Sequence, residues 1–136
     1  MSHFFNKREL EAEVADTFFK HQEGLMFRKK LGENSGMVFK FKNPKKLKFW
    51  GLNTFIPLDI AFISDDNIIT KISNISPFST KIVSSDDKCN IAIEANYGYF
   101  NKNKINVGDK ININWLENKM ANINFVNIVE REKLCR

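Results

Sequence analysis

Apolar and polar residues alternate along several short stretches of the chain, and a period of two is the pattern of a half-buried β-strand. Residues 9–15 show it first, with Leu10, Ala12 and Val14 on one side. The later stretches are rich in the β-branched and aromatic residues that favour strands. Strands are predicted at residues 9–15, 36–42, 46–50, 58–63, 68–75, 90–95, 110–115 and 122–129.

Two pairs of these stretches are separated by residues that favour turns. Asn43-Pro44 stands between the second and third strands, and Ser64-Asp65-Asp66-Asn67 stands between the fourth and fifth. Two strands around such a turn predict a β-hairpin, so two hairpins are expected.

The alternation also predicts which side chains face the core. Phe39 and Phe41 alternate with Lys40 and Lys42, so the rings are expected to point inward and the lysines outward. A slip of one residue would bury the lysines instead. The core residues predicted in this part of the chain are Phe39, Phe41, Leu47, Phe49, Leu58, Ile60 and Phe62.

Two short helices are predicted among the strands. Asp16 or Thr17 can cap the first, which continues to Leu25 with an interruption at Gly24, and the second lies near residues 97–102. The fold class is therefore mainly β (α+β at the margin), a small barrel or sandwich of about seven to eight short strands with one or two short helices. No linker or repeat divides the chain, so residues 1–136 are expected to form one domain.

The composition is that of a folded domain with one sizeable core. The chain has 136 residues, of which 43% are hydrophobic and 27% charged, and this excludes an intrinsically disordered protein. No run of about eighteen apolar residues exists, so no membrane span is expected. Cys89 and Cys135 lie far apart and His3 and His21 are the two histidines, so no metal site and no cofactor are expected.

The first residues lack the apolar segment of a secretion signal. The chain is therefore expected to be soluble and cytoplasmic with reduced cysteines, or to lie in the host cytoplasm or virion if its source is a virus. Asn, Ile and Lys are abundant after residue 90, which is typical of the AT-rich coding sequences of many phages.

Six short segments carry information beyond secondary structure. They are Val14-Ala15-Asp16-Thr17, Gly24-Leu25-Met26-Phe27-Arg28, Gly36 to Phe41, Phe49 to Phe62, Ile93 to Gly98 and Ile105 to Asp109. In this order and spacing they resemble the domain of unknown function 192 family (DUF192), found in bacteria, archaea and some viruses. The resemblance covers residues 12–111 or so, and it leaves residues 112–136 as a C-terminal extension.

The resemblance implies a compact, mostly β domain with one short helix after the first strand. It implies no activity and no cofactor, because the family has no established activity. The family usually has Trp-Met-Lys-Asn-Thr, whereas this chain has Trp50-Gly51-Leu52-Asn53-Thr54. Any contact that the family makes through that Met or Lys is therefore absent here.

The polar residues of the matched segments are the first candidate site. If Arg28, Asn53, Thr54 and Asp59 converge on a pocket edged by Trp50, Arg28 can pair with an anionic group and Asp59 can accept a proton. The alternative is structural. In that interpretation Asp59 pairs with Arg28 at the barrel rim, while Asn53 and Thr54 close a turn through bonds to the backbone.

A row of lysines is the second candidate site. Basic side chains on one face of a strand pair can bind the phosphates of a nucleic acid or another polyanion. The alternative is a solvated face that guards an exposed strand against edge pairing. The row consists of Lys40, Lys42, Lys46 and Lys48, with Lys45 beside them. No measurable nucleic-acid binding is expected near physiological salt.

The favoured functional hypothesis is a non-catalytic binding or assembly domain for a macromolecular partner, with the C-terminal extension as a candidate contact. The first alternative is a small-molecule-binding domain or enzyme with a site around Trp50, Asn53, Thr54 and Asp59. The second alternative is a weak polyanion or nucleic-acid binder that uses the lysine row. No catalytic residue is assigned, because no nucleophile stands beside a base in any recognisable motif.

Overall fold

The structure is a computed structural model that describes residues 8–127 of the chain. The last two residues of the predicted strand 122–129 lie outside that range, as do His3 and Cys135. The elements in chain order are β1 (Glu9–Ala15), α1 (Phe18–Glu23), β2 (Ser35–Phe49), β3 (Leu58–Ile63), β4 (Ile69–Ile75), β5 (Val83–Asn96), α2 (Tyr99–Lys102), β6 (Lys110–Leu116) and β7 (Met120–Val126).

The seven strands form one sheet in the order β4-β3-β5-β2-β1-β7-β6. β1 and β2 are parallel, and the other neighbours are antiparallel. The sheet curls until its two edges meet, where Ile68 bridges Lys110 and the Ile69 amide donates to the Asp109 carbonyl at 2.9 Å. The result is a half-barrel, which confirms the prediction of a mainly β fold with two short helices.

One of the two predicted hairpins is wrong. Residues 36–42 and 46–50 belong to a single strand, β2, and Asn43-Pro44 lies inside it. β5 is long enough to pair along β2, and the ladder shifts register between Lys40 and Lys45. Proline donates no hydrogen bond and is tolerated at such a bulge, so the turn signal marks an irregular strand. The other predicted hairpin, β3 with β4, is confirmed.

The two faces of the sheet carry separate apolar cores. The first, the barrel core, includes Leu10, Phe100 and Ile123, and it fills the inside of the curl because it joins strands from both ends of the sheet. The second core covers the opposite face of β2, β3 and β5. It contains all seven predicted core residues, five of them buried and two (Phe41 and Phe49) partly buried against the rest. The predicted register is therefore confirmed.

Within residues 8–127, no helix has the length and apolar character needed to cross a bilayer. Cys89 is buried in the second core as a free thiol.

Candidate functional site

A cavity of about 250 Å³ opens beside the second core. Its walls come from the end of α1 and the loop that follows, from the end of β2, from the loop after β2, and from β5. Thr17 begins α1 by accepting a hydrogen bond from the Lys20 amide at 3.2 Å, and Gly24 ends it with a positive φ of 50°. The side chains that line it include His21, Phe39, Phe49, Trp50, Thr54 and Glu94.

Glu94 is a buried acid in the wall of this cavity. Its position on β5 is opposite Met37 on β2 and Ile60 on β3, so its side chain lies on the face of the second core. The residue is 4% exposed, and within residues 8–127 no hydrogen bond to its carboxyl opposes the effect of burial. Burial raises the pKa of Glu94 to about 8. A buried acid without a partner in the protein indicates a site that binds a partner from outside the domain.

Sequence reasoning missed Glu94. The signal was present, because an acid stands between Ile93 and Ala95 in the otherwise apolar stretch 91–95. An inward-facing acid in a central strand is costly unless it has a partner or a function.

His21 joins two strands at the edge of the cavity. Its Nε2 lies 2.9 Å from the carbonyl oxygens of both Ala15 and Lys40, and its ring stacks on Phe41 with centroids 4.0 Å apart. Carbonyl oxygens only accept hydrogen bonds, so Nε2 carries a proton. That nitrogen is committed to the backbone and is not free to act as a base.

Trp50 and Thr54 line the cavity, whereas Asn53 shapes the loop between them. The Thr54 hydroxyl is buried and donates to the Leu52 carbonyl at 3.3 Å. Asn53 has a positive φ of 56°, and its carbonyl accepts from the Phe27 amide at 2.8 Å. Asparagine tolerates this backbone conformation better than most residues. Thr54 therefore fits the predicted structural role of a turn-closing side chain.

Arg28 is held by another residue. Two of its guanidinium nitrogens contact the two carboxylate oxygens of Glu13 on β1, one of them at 2.9 Å. This hydrogen bonding lowers the pKa of Glu13. The proposed pairing of Arg28 with Asp59 is therefore wrong, and Arg28 ties the loop after α1 to the first strand.

Asp59 lies on the opposite face of the sheet from the cavity. Its cross-strand neighbour Ala95 belongs to the barrel core, and its Oδ2 accepts from the Phe100 amide at 3.3 Å. Burial raises its pKa, and the amides of Gly98 and Phe100 oppose that rise. Asp59 is thus placed as an acceptor at the start of α2. The structure does not bring it together with Trp50, because its strand neighbours Leu58 and Ile60 point to the second core and Asp59 therefore points to the opposite face.

Replacing Asp59 by Ala should lower the free energy of unfolding by about 1–3 kcal/mol, because the Phe100 amide loses its acceptor in a buried setting. Asp59→Asn keeps one acceptor oxygen and is expected to lose less. Urea denaturation of the two variants measures both. Equal stability of Asp59→Ala and wild type would contradict the structural role and point to a ligand at this face.

The lysine row is exposed but irregular. β2 shifts register on both sides of Lys45 and Lys46, so the alternation that would align Lys40, Lys42, Lys46 and Lys48 is broken. The Lys40 ammonium lies over the ring of Trp115 at 4.6 Å from its centroid. Lys48 reaches the rim of the cavity. The expectation that these lysines bind no nucleic acid stays a prediction.

Three exposed phenylalanines form a second feature beside the cavity, here called the aromatic surface: Phe27, Phe55 and Phe78. The ring centroids of Phe27 and Phe55 are 6.3 Å apart, and those of Phe55 and Phe78 are 5.2 Å apart. Their exposed fractions are 61%, 40% and 61%. Thr54 connects the two features, since it lines the cavity and its carbonyl accepts from the Phe78 amide at 3.2 Å. Sequence analysis assigned no role to any of these three residues and did not predict this surface.

The sequence profile of the DUF192 family, described as "Uncharacterized ACR", matches residues 2–113. A crystal structure from Sinorhizobium meliloti 1021, named as a candidate transcription regulator, is 31% identical with a TM-score of 0.73 over 74% of this chain and 79% of that one. A protein of unknown function from Novosphingobium aromaticivorans DSM 12444, also with a crystal structure, is 35% identical in sequence. The match has a TM-score of 0.71 and covers 73% of this chain and 71% of that one. No curated protein matches the chain.

Proposed function

The chain belongs to the uncharacterised DUF192 family, and we propose that it is a non-catalytic binding domain that holds a segment of a partner protein on the aromatic surface. The observation that carries this proposal is the contact between three large exposed rings. Together they expose roughly 300 Å² of surface, which lies at the lower end of the range for the largest apolar patch of a monomeric protein, and such a patch often marks an interaction site.

The backbone beneath these rings supports the proposal. Phe27 and Phe78 have positive φ angles of 65° and 60°. A bulky residue in this left-handed conformation costs about 1–2 kcal/mol, and glycine or asparagine would be the favourable choice. Two phenylalanines that are both strained and exposed contribute little to folding. Their presence is explained if the rings are needed for contact with a partner.

Hydrogen bonds from the loop after β2 position the surface in advance. The Asn53 carbonyl accepts a hydrogen bond from the Phe27 amide, and the Thr54 carbonyl accepts one from the Phe78 amide. In addition, the Gly51 amide donates to the Ser79 carbonyl at 2.8 Å. A Cβ atom at position 51 would lie 2.0 Å from the Ser76 carbonyl oxygen, so only glycine allows this approach. The family pattern has Met there. A preorganised surface loses less entropy when it binds.

The same arrangement argues against catalysis. The proton of His21 Nε2 is shared between two carbonyls, and the Thr54 hydroxyl donates to the backbone. The Nε2 atom of His21 and the Thr54 hydroxyl are therefore both engaged with the backbone, and neither of these two atoms is free to act as a base or an activated nucleophile. The candidate contact predicted for the C-terminal extension is also less favoured, because β7 is paired with β1 inside the sheet.

Site-specific photocrosslinking in the native host tests the proposal. A photoreactive phenylalanine analogue replaces Phe55 in one variant and Val107 in the control, because Val107 is exposed near Asp59 on the other side of the sheet. A discrete protein adduct at position 55 and none at 107 is the expected result. Adducts of equal yield at both positions, or none at 55, would overturn it. An adduct with a second copy of the chain would identify self-association instead.

The double substitution Phe27→Asn and Phe78→Asn should abolish that adduct without destabilising the fold. Asparagine relieves the left-handed strain at both positions, so the free energy of unfolding should stay the same or rise by about 1 kcal/mol. Guanidinium denaturation measures the stability, and the photoreactive group at position 55 reports binding. A clear loss of stability would show that the rings serve the fold, which would contradict the proposed role.

A second candidate function is the binding of a small molecule in the cavity. The observation that favours it is the unpartnered carboxyl of Glu94. Glu94 is the acid of the pocket, the role that sequence analysis assigned to Asp59.

A further inference from the structure

We infer that the cavity receives an alkylammonium group, the side chain of a lysine carried by the bound segment, with Glu94 as its counter-ion. This inference rests on the proposed function, because the aromatic surface brings the segment to the mouth of the cavity. It deepens that proposal by naming the chemistry of the residue that anchors the partner.

The carboxyl of Glu94 sets the polarity of the occupant. It is buried, it lines the cavity, and within residues 8–127 no hydrogen bond to it accompanies the desolvation. An apolar occupant would leave this group unsatisfied and seal it from water, which is unfavourable. An anionic occupant would be repelled as soon as the carboxyl ionises. The occupant must therefore be polar, and one that donates hydrogen bonds stabilises the ionised form of the carboxyl.

The walls favour a cation among such donors. Phe39, Phe49 and Trp50 line the cavity, and the rings of Phe39 and Phe49 lie 4.9 Å apart at 75°. Aromatic faces attract cations, including the ammonium group of lysine, and the attraction is stronger where water is excluded. The hydrocarbon stem of a lysine can lie against the same rings.

The size and position of the cavity indicate a side chain. At about 250 Å³ it is smaller than the roughly 300–1,000 Å³ of sites for drug-sized ligands, and it suits one extended side chain. Thr54 lines the cavity while its carbonyl holds the backbone of Phe78, so the opening adjoins the aromatic surface. A segment on that surface can direct one residue inward.

The other charged or titratable groups around the cavity are Glu23, Lys48 and His21. The Glu23 carboxylate lies 3.6 Å from the Lys20 ammonium, which partly neutralises it. Lys48 is exposed at the rim and repels a cation, so Lys48→Gln should strengthen binding. When the ammonium enters, Glu94 releases its proton to solvent and becomes the counter-ion.

The test is a titration with N-acetyl-lysine N-methylamide followed by amide shifts in ¹H–¹⁵N NMR spectra, with N-acetyl-norleucine N-methylamide as the neutral control. Saturable shifts around the cavity with a millimolar Kd are expected for the lysine derivative and none for norleucine. Glu94→Gln should weaken binding at least tenfold, and its unfolding curve will show that it is folded. Equal binding by Glu94→Gln, or by norleucine, would overturn the inference.

The pH dependence gives a second readout. Between pH 8 and pH 6 the ionised fraction of an acid with a pKa of about 8 falls from about one half to about one hundredth. The affinity for the lysine derivative should fall about fiftyfold over that interval in the wild type and stay nearly constant in Glu94→Gln. A wild-type affinity that is independent of pH would contradict Glu94 as the counter-ion.

Combined with the crosslinking experiment, these results separate the two proposals. An adduct at position 55 without binding of the lysine derivative overturns the lysine anchor and leaves the proposed function standing. Binding of the lysine derivative without an adduct overturns the partner protein and identifies a free amine as the occupant.

Discussion

The free energy of unfolding should decrease by roughly 4 kcal/mol between pH 5 and pH 8.5 because of Glu94 alone, and Glu94→Gln should remove this decrease. The pKa of Glu94 is about 8 in the folded protein and near 4.5 in the unfolded chain. Each unit of difference corresponds to about 1.4 kcal/mol.

The direction follows from proton binding. A carboxyl with a raised pKa binds its proton more tightly in the folded state, so between the two pKa values the folded protein holds more protons than the unfolded chain. The contribution of Glu94 to the free energy of unfolding is fully present below pH 4.5. It decreases as the pH rises from there through 8, the pKa of Glu94 in the folded protein. Most acids show the opposite direction, as Glu13 does, because the hydrogen bond from Arg28 lowers its pKa.

The measurement is chemical denaturation of the wild type and Glu94→Gln at a series of pH values. Other groups titrate in both proteins, so the difference between the two curves isolates Glu94. Glutamine is nearly isosteric and neutral, and the variant should therefore match the wild type near pH 5 and exceed its stability above pH 8. Parallel curves would show that Glu94 is ionised in the folded protein, and they would remove the basis for a cation site.

Phe39→Ala should destabilise the protein by about 3–5 kcal/mol, the range for a large buried aromatic residue. Phe39 is 1% exposed in the second core, and its ring contacts Phe49. It also forms part of the cavity wall. Removal of the ring would enlarge a space that already exists, and the surroundings cannot collapse to fill it.

Phe41→Ala is the matched control, because the two residues point to the same face of β2. Phe41 is only partly buried, between the stacked ring of His21 and the ammonium of Lys45 at 5.0 Å. Its loss should be about half as large, since the effect scales with the area removed from water. Guanidinium unfolding gives both values. Equal losses would mean that Phe41 is packed as tightly as Phe39, contrary to the structure.

Local patterns were enough to predict most of the strands. The alternation of Phe39 and Phe41 with lysines determined the register of β2, because a slip would bury charge. The hairpin at Asn43-Pro44 could not be judged locally. Its turn residues are compatible with either a reversal or a bulge, and the length of β5, a strand forty residues later, decides between the two.

The family could also be identified from the sequence, since the order of short motifs is itself sequence information. The three-dimensional position of each motif residue could not be identified from the sequence. Asp59 and Trp50 belong to one continuous segment, yet the sheet lies between Asp59 and the cavity that Trp50 lines. Arg28 binds Glu13 because the loop after α1 lies beside β1. The spacing of residues in the sequence gives no indication of this proximity.

The sequence by itself determined the class of fold, the strand register and the family, because these depend on periodicity and on the order of motifs. The tertiary structure alone decided which polar residues have partners. Asp59 and Glu94 are both acids in apolar stretches, and only the curl of the sheet and the covering loops give Asp59 an amide donor and leave Glu94 without one within residues 8–127. The pKa of a carboxyl depends on its complete surroundings, and these are assembled from residues distant in the chain.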